Sequence, residues 1–259
     1  MNILLIGCGK MGGAMLRQWV GNAANRFTVA TPTRRTLPEG VVHVTGAEAL
    51  PDAAFDLILI AVKPQMIADV LPAYVGKLAP GRCFVSIAAG TSLASLGAIA
   101  GDVAVIRVMP NMAAMVGKGV SGLVANKHAS AAQISAVTSF IAETGSCLAL
   151  ASEDEIDRLT AISGSGPGYI FEILRSYVAA AVELGFAPET ARQLVLDTVA
   201  GTVETAQRTP ESLTDLRLSV TSRNGTTETG LRELMRDGTL DTLLRDTVTA
   251  AYRRAGELK

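Results

Sequence analysis

The sequence predicts an α/β protein, with a doubly wound, mostly parallel sheet over residues 1–152 and an all-helical domain over residues 153–259. Three observations lead there. Short apolar runs alternate with longer helix-like segments as far as about residue 150. The run Asp56–Val62 is continuously apolar after its first residue, as a strand covered on both faces must be. Beyond Glu153 the strand signal stops and helical spacing takes over.

Asn2–Ile6 is a buried strand, followed by glycines and a helix through Met15, Leu16 and Trp19. Phe27–Thr31 reads as the second strand and Val41–Val44 as a short third. Asp56–Val62 comes next, then a helix over Met66–Leu78. Strands at Cys83–Ala88 and Val103–Val108 enclose a short helix, and Val120–Ala125 and Ser146–Leu150 flank another. Strand alternating with helix implies parallel pairing through right-handed crossovers. In the second half Ile156–Ile162, Tyr169–Leu184, Pro188–Gln207 and Leu240–Ala255 are helical. No flexible linker separates the halves, so the crevice between them is the expected ligand site.

Hydrophobic residues make up 49% of the 259 and charged residues 18%, which excludes a disordered chain. Lys and Arg number 23 against 24 Asp and Glu, so no basic field exists and nucleic acid is not expected as a partner. Cys8, Cys83 and Cys147 cannot all pair and form no Cys-x-x-Cys unit, which suits a reducing cytoplasm. The first apolar run is too short for a signal peptide and no stretch approaches a membrane span, so a soluble cytoplasmic protein is expected. The only histidines, His43 and His128, lie in a short strand and a polar turn, which disfavours histidine acid–base chemistry and a metal site.

Gly7-Cys8-Gly9-Lys10-Met11-Gly12 has Gly-x-Gly-x-x-Gly spacing directly after the first strand. Gly7 permits a tight turn, Gly9 lets a pyrophosphate approach the backbone, and Gly12 lets the helix pack on its strand. A diphosphate then rests on the helix N-terminus, where free N–H groups and the dipole favour negative charge. The spacing alone is weak, but its strand–turn–helix context is that of a Rossmann-type dinucleotide site; the alternative is a glycine turn with no ligand.

The second strand ends at Thr31-Pro32-Thr33-Arg34-Arg35, without the acid that an NAD-specific site usually places there. Thr31, Thr33 and the guanidinium groups of Arg34 and Arg35 suit a 2′-phosphate, so NADP(H) is favoured over NAD(H). The alternative is a solvated basic turn. Two further strand ends, Ala61-Val62-Lys63-Pro64 and Val108-Met109-Pro110-Asn111, face the ligand side. Lys63 is placed for cofactor phosphate or ribose and Asn111 for nicotinamide or ribose, against a helix-opening surface lysine and an ordinary Asx turn.

In the helical half, Ser163-Gly164-Ser165-Gly166-Pro167-Gly168 leads into an apolar helix, and Val220–Glu228 opens another. Each presents N–H groups and hydroxyls at a helix start. Capping explains either one alone; two in one small domain favour a small anion such as a carboxylate.

Together, Gly7–Gly12, Ala61–Gln65, Arg107–Asn111, Ser163–Pro167 and Thr221-Ser222 with Gly225-Thr226-Thr227 resemble the pyrroline-5-carboxylate reductase family over essentially the whole chain. The resemblance implies NAD(P)H-dependent reduction of 1-pyrroline-5-carboxylate to L-proline, in a homodimer or larger assembly built through the helical domain. It implies that Ser222, Gly225 and Thr226 hold the substrate carboxylate, with Ser163 also on the substrate side, and that the Thr227 hydroxyl hydrogen-bonds the ring nitrogen. Arg223-Asn224 replace the family's usual Pro-Gly, a departure that bears on substrate preference more than on reaction type. Two rivals are a 3-hydroxyacid-type dehydrogenase and a non-enzymatic NADP-binding module. The first uses a lysine and an asparagine where this chain has Ile170 and Leu174; the second needs no second anion site.

Overall fold

The computed structural model describes residues 1–33 and 36–258. Strand β1 (Asn2–Ile6) leads into α1 (Lys10–Trp19), β2 (Arg26–Ala30), β3 (Val42–Val44) and β4 (Phe55–Ile60). A single turn α2 (Ile67–Val70), β5 (Leu78–Ser86), α3 (Leu93–Ala100), β6 (Ala104–Met109) and β7 (Gly119–Ala125) follow. Helix α4 (Ala131–Ala142) and β8 (Gly145–Ala149) complete one sheet, ordered β3-β2-β1-β4-β5-β6-β7-β8. Neighbouring strands are parallel except β6 and β7. The order runs outward in both directions from β1 and β4, which makes their boundary the topological switch point.

The central strands are buried on both faces, and period-two alternation divides their side chains. Ile3 and Leu5 of β1 join one core with Met15, Trp19 and Phe140; Leu4 and Ile6 join the other with Ile60, Ile67 and Phe84. Trp19 is fully buried, stacks on Phe140 with ring centroids 4.5 Å apart, and donates from Nε1 to the Phe140 carbonyl at 3.2 Å.

Beyond β8 the chain is helical: α5 (Glu153–Leu159), a π-turn (Thr160–Gly164), α6 (Gly166–Glu183), α7 (Pro188–Arg208), α8 (Leu213–Ser219), α9 (Thr226–Leu234) and α10 (Thr239–Glu257). Two compact units result: one holds Met1–Pro167 with the C-terminal segment from Ala251, the other Gly168–Ala250. Within the first, Tyr252 of α10 donates to Asp154 of α5 at 2.5 Å. In the second, α6 contains no buried residue and α7 only Ala191 and Val195, while Phe171, Tyr177, Val203 and Leu243 stand exposed.

The expected fold class holds, and three elements differ. The helix expected over Met66–Leu78 is broken into α2 between two 3-10 segments, because Pro72 lacks an N–H and its ring clashes with the preceding turn. Strand β5 starts at Leu78 rather than Cys83. Helix α8 was not expected; Ser212 caps it by accepting from the Asp215 N–H at 3.1 Å.

Candidate active site

At the carboxyl end of β1 the backbone turns through Gly7, whose φ of +85° is left-handed. A Cβ there would lie 2.8 Å from Val62 Cγ1 and 3.0 Å from the Ala61 oxygen, so only glycine lets the turn close against the β4 end. Gly9 is the N-cap of α1, with no side-chain cap and no acid in the first turn, leaving the N–H groups over Lys10, Met11 and Gly12 for an anion. A Cβ on Gly9 would meet nothing within 4 Å, whereas one on Gly12 would sit 3.0 Å from the Ala61 Cβ. The three glycines thus serve three needs: a left-handed turn, open space, and helix-to-strand contact.

A cavity of about 470 Å³ opens over this turn at the switch point. Gly7, Gly9, Thr31, Ala61, Val62 and Lys63 contribute to its walls. Thr31 is buried, its N–H donates to the Val44 carbonyl at 3.0 Å, and its own carbonyl lies 3.0 Å from His43 Nε2. Thr33 is exposed beyond it, and Arg34 and Arg35 lie outside the described residues. Lys63 is exposed and precedes Pro64, which opens the 3-10 turn on this rim. The residue pattern after β1 therefore fits a dinucleotide: an uncapped helix start, a glycine with free space above it, and a cavity lined mainly by aliphatic groups.

Sequence reasoning missed one wall of this cavity. Thr45, Gly46 and Glu48, which follow β3, line it beside Thr31, and so do Asp69 and Tyr74. Burial and the nearby Glu48 carboxylate both push the Tyr74 hydroxyl above its usual range, in that order of importance. The signal available was Thr45-Gly46 directly after the short third strand.

Asn111 lies past the end of β6 and is buried. Its Nδ2 donates to the Ser163 carbonyl at 3.2 Å and approaches Ser163 Oγ at 3.1 Å, while its Oδ1 accepts from the Val120 N–H at 3.0 Å. Ser163 Oγ in turn donates to the Val120 carbonyl at 3.2 Å. The structure thus joins two nominated residues that are far apart in the chain. Four residues before Asn111, within β6, Arg107 is buried and pairs with Glu153 at 2.7 Å; that carboxylate also accepts from the Leu93 N–H at 3.1 Å. Asp157 Oδ1 stands 4.0 Å from Arg107. Sequence reasoning placed Arg107 in a motif but gave it no partner.

In the second unit, Ser222, Gly225, Thr226 and Thr227 come together at the start of α9. The Gly225 N–H donates to the Ser222 carbonyl at 3.0 Å, and a Cβ on Gly225 would overlap Ser222 Oγ. Asn224 adopts a left-handed φ of +60°, tolerable for Asn, and its N–H donates to Glu228 at 2.6 Å. Gly225 caps α9 with no side chain, and among the described residues the exposed Thr227 hydroxyl has no hydrogen-bond partner. The segment offers backbone N–H groups and the hydroxyls of Ser222, Thr226 and Thr227 around a loop that carries Arg223.

Among the described residues no group of His, Cys, Asp and Glu is arranged to hold a metal, and no helix is long and apolar enough to cross a membrane.

Residues 153–258 match the family described as pyrroline-5-carboxylate reductase dimerisation, and residues 2–90 match NADP oxidoreductase, coenzyme F420-dependent. The pyrroline-5-carboxylate reductase of Pseudomonas aeruginosa is 36% identical, covering 99% of this chain and 96% of its own. That of Synechocystis is 32% identical over 98% and 97%. The pyrroline-5-carboxylate reductase structure from Coxiella burnetii superposes with a TM-score of 0.91 at 32% identity, covering 100% of this chain and 98% of that one. The Plasmodium falciparum pyrroline carboxylate reductase with NADP bound shares the fold, with a TM-score of 0.86 at 24% identity over the same shares of the two chains. With full-length identity at this level and both segments matched, the chain belongs to the pyrroline-5-carboxylate reductase family.

Proposed function

We propose that this chain reduces the cyclic imine 1-pyrroline-5-carboxylate to L-proline, the last step of proline biosynthesis, with NADP(H) as reductant and NAD(H) as its alternative. One observation carries the reading: the glycine-bounded cavity with an uncapped helix start at the switch point, in a chain of this family. When bound, the reduced nicotinamide supplies the hydride; the chain's work is to bind, orient and polarise.

In this reading the N–H groups around Gly7, Gly9, Lys10, Met11 and Gly12 take the diphosphate. Thr31, Thr33, Arg34 and Arg35 take the adenosine phosphate, and Ala61, Val62, Lys63 and Pro64 form the flank along the sugar. Asn111 belongs beside the nicotinamide. Ser222, Gly225 and Thr226 receive the substrate carboxylate, with Ser163 on the substrate side. The Thr227 Oγ1 donates to the ring nitrogen, which draws electrons from the imine carbon and readies it for hydride. The unpartnered Thr227 hydroxyl and the Ser222 oxygen folded over Gly225 support these roles.

The dinucleotide-binding part runs through residue 152, and residues 153–259 bind substrate and join protomers in a homodimer or larger assembly. The exposed apolar side chains of α6 and α7 support that face. A cytoplasmic protein without nucleic-acid or membrane partners completes the proposal; the balance of 23 basic against 24 acidic residues supports it.

The test is NADPH consumption with pyrroline-5-carboxylate set against the six-membered piperideine-carboxylate, with proline measured as product. Preferential proline formation is expected; tight NADPH binding without oxidation by either imine overturns the reading. Thr227→Ala is expected to lower turnover at least about tenfold, the value of one hydrogen bond, with NADPH affinity unchanged. Parental turnover in that variant removes Thr227 from the mechanism.

A further inference from the structure

The loops that leave β2 and β3 run side by side. Ala30 pairs with Val44 in the sheet, and the Thr31 N–H donates to the Val44 carbonyl. Thr31 and Pro32 from the first loop, and Thr45, Gly46 and Glu48 from the second, therefore share one wall of the dinucleotide cavity. In a site that prefers the unphosphorylated cofactor, an acid at the end of the second strand accepts hydrogen bonds from the adenosine ribose. Here Thr31 and Pro32 follow that strand, and an acid reaches the same wall from the next strand. The Glu48 carboxylate folds over Gly46, where any Cβ would overlap it. Among the described ionic side chains of the cavity, Lys63 stands alone against Glu48 and Asp69.

We propose that Glu48 is a specificity-determining residue: its carboxylate on the adenosine-side wall favours ribose hydroxyls and repels a 2′-phosphate, which holds this enzyme's preference for NADPH over NADH well below what its threonines and arginines alone would set. This rests on the dinucleotide reading of the cavity given above. The physical cause is charge at short range. A cavity of about 470 Å³ keeps any bound phosphate within several ångströms of its walls, well inside the screening length at ordinary salt. Gly46 has a part in it, because only a residue without Cβ leaves room for the carboxylate to lie back over the loop. Since the Glu48 side chain is exposed, its replacement leaves the fold intact.

The experiment compares the parent chain with Glu48→Gln, and with Asp69→Asn as a charge control on the same cavity. NADPH and NADH dissociation constants are measured by nucleotide fluorescence, and kcat/KM for each by reduction of pyrroline-5-carboxylate. Glu48→Gln is expected to raise the NADPH-to-NADH affinity ratio at least about fivefold, through tighter NADPH and weaker NADH. Asp69→Asn is expected to move the ratio less than about twofold, and raising the salt to shrink the Glu48 effect. A Glu48→Gln ratio within about twofold of the parent, or a shift matched by Asp69→Asn, overturns the proposal. Binding is read without turnover, so an enzyme that binds both nucleotides but reduces no imine overturns the functional reading while the affinity ratio still decides Glu48.

Discussion

The side-chain amide of Asn111 holds Ser163 through both its carbonyl and its hydroxyl, at 3.2 and 3.1 Å, while the Asn111 oxygen takes the Val120 N–H. The clasp pins the π-turn Thr160–Gly164 to the end of β6 and the start of β7. π-turns cluster at functional sites because they bulge backbone out of the helical ladder, and such a bulge must be fixed by something outside the helix. Asn111→Ala removes the side-chain partner of the part-buried Val120 N–H and of the Ser163 carbonyl. Unfolding free energy is expected to fall by about 1–3 kcal/mol, read as a lower thermal midpoint. An unchanged midpoint would show that water replaces the clasp at no cost.

Gly9 and Gly12 belong to one motif and answer to different forces. Gly9→Ala places a methyl group in open space at an extended φ of −73°, so the thermal midpoint should hold while dinucleotide affinity falls. Gly12→Ala drives a Cβ against the Ala61 Cβ, and neither backbone can yield freely. A loss of about 1–3 kcal/mol is expected, with affinity falling as a consequence. Thermal melts with and without NADPH separate the two, and a destabilised Gly9→Ala protein would contradict the assignment of open space above that residue.

Burial pushes the Cys83 and Cys147 thiols from 9.0 up to about 11. Thiolates are the reactive form, so both should react slowly with a thiol reagent at pH 8 until the protein is unfolded. The unfolded chain releases these protons near pH 9 and the folded one near 11. The stabilisation is therefore complete below pH 9 and lost as pH rises through 11. A Cys83→Ala, Cys147→Ala protein should show a shallower loss of stability across pH 9–11; an identical slope would remove the thiols as its cause.

Local patterns carried most of the fold. The strand at Asn2–Ile6 and the helix beginning at Pro188 are legible because one residue's neighbours set period and cap. The glycine turn is equally local: Gly7 to Gly12 need only the strand before and the helix after. What escaped depends on distance along the chain. Glu48 reaches the cavity because β3 pairs with β2, a relationship absent from the composition around it. Asn111 and Ser163 meet across fifty-two positions, and each alone reads as an ordinary turn residue. The break at Pro72 was visible, but the apolar spacing on either side outweighed it, whereas the Ser212 cap of α8 was a short signal in an exposed segment.

The C-terminal segment from Ala251 belongs to the first compact unit, so Gly168–Ala250 leaves that unit and returns to it. Topologically the helical unit is an insertion tethered at both ends. Its melting releases a closed loop, which gains less freedom than a dangling tail of equal length. The bond between Tyr252 and Asp154 is one of the knots that closes it. Trimming the last turns of α10 should therefore loosen the helices of 168–250, and proteolytic cuts should appear first there.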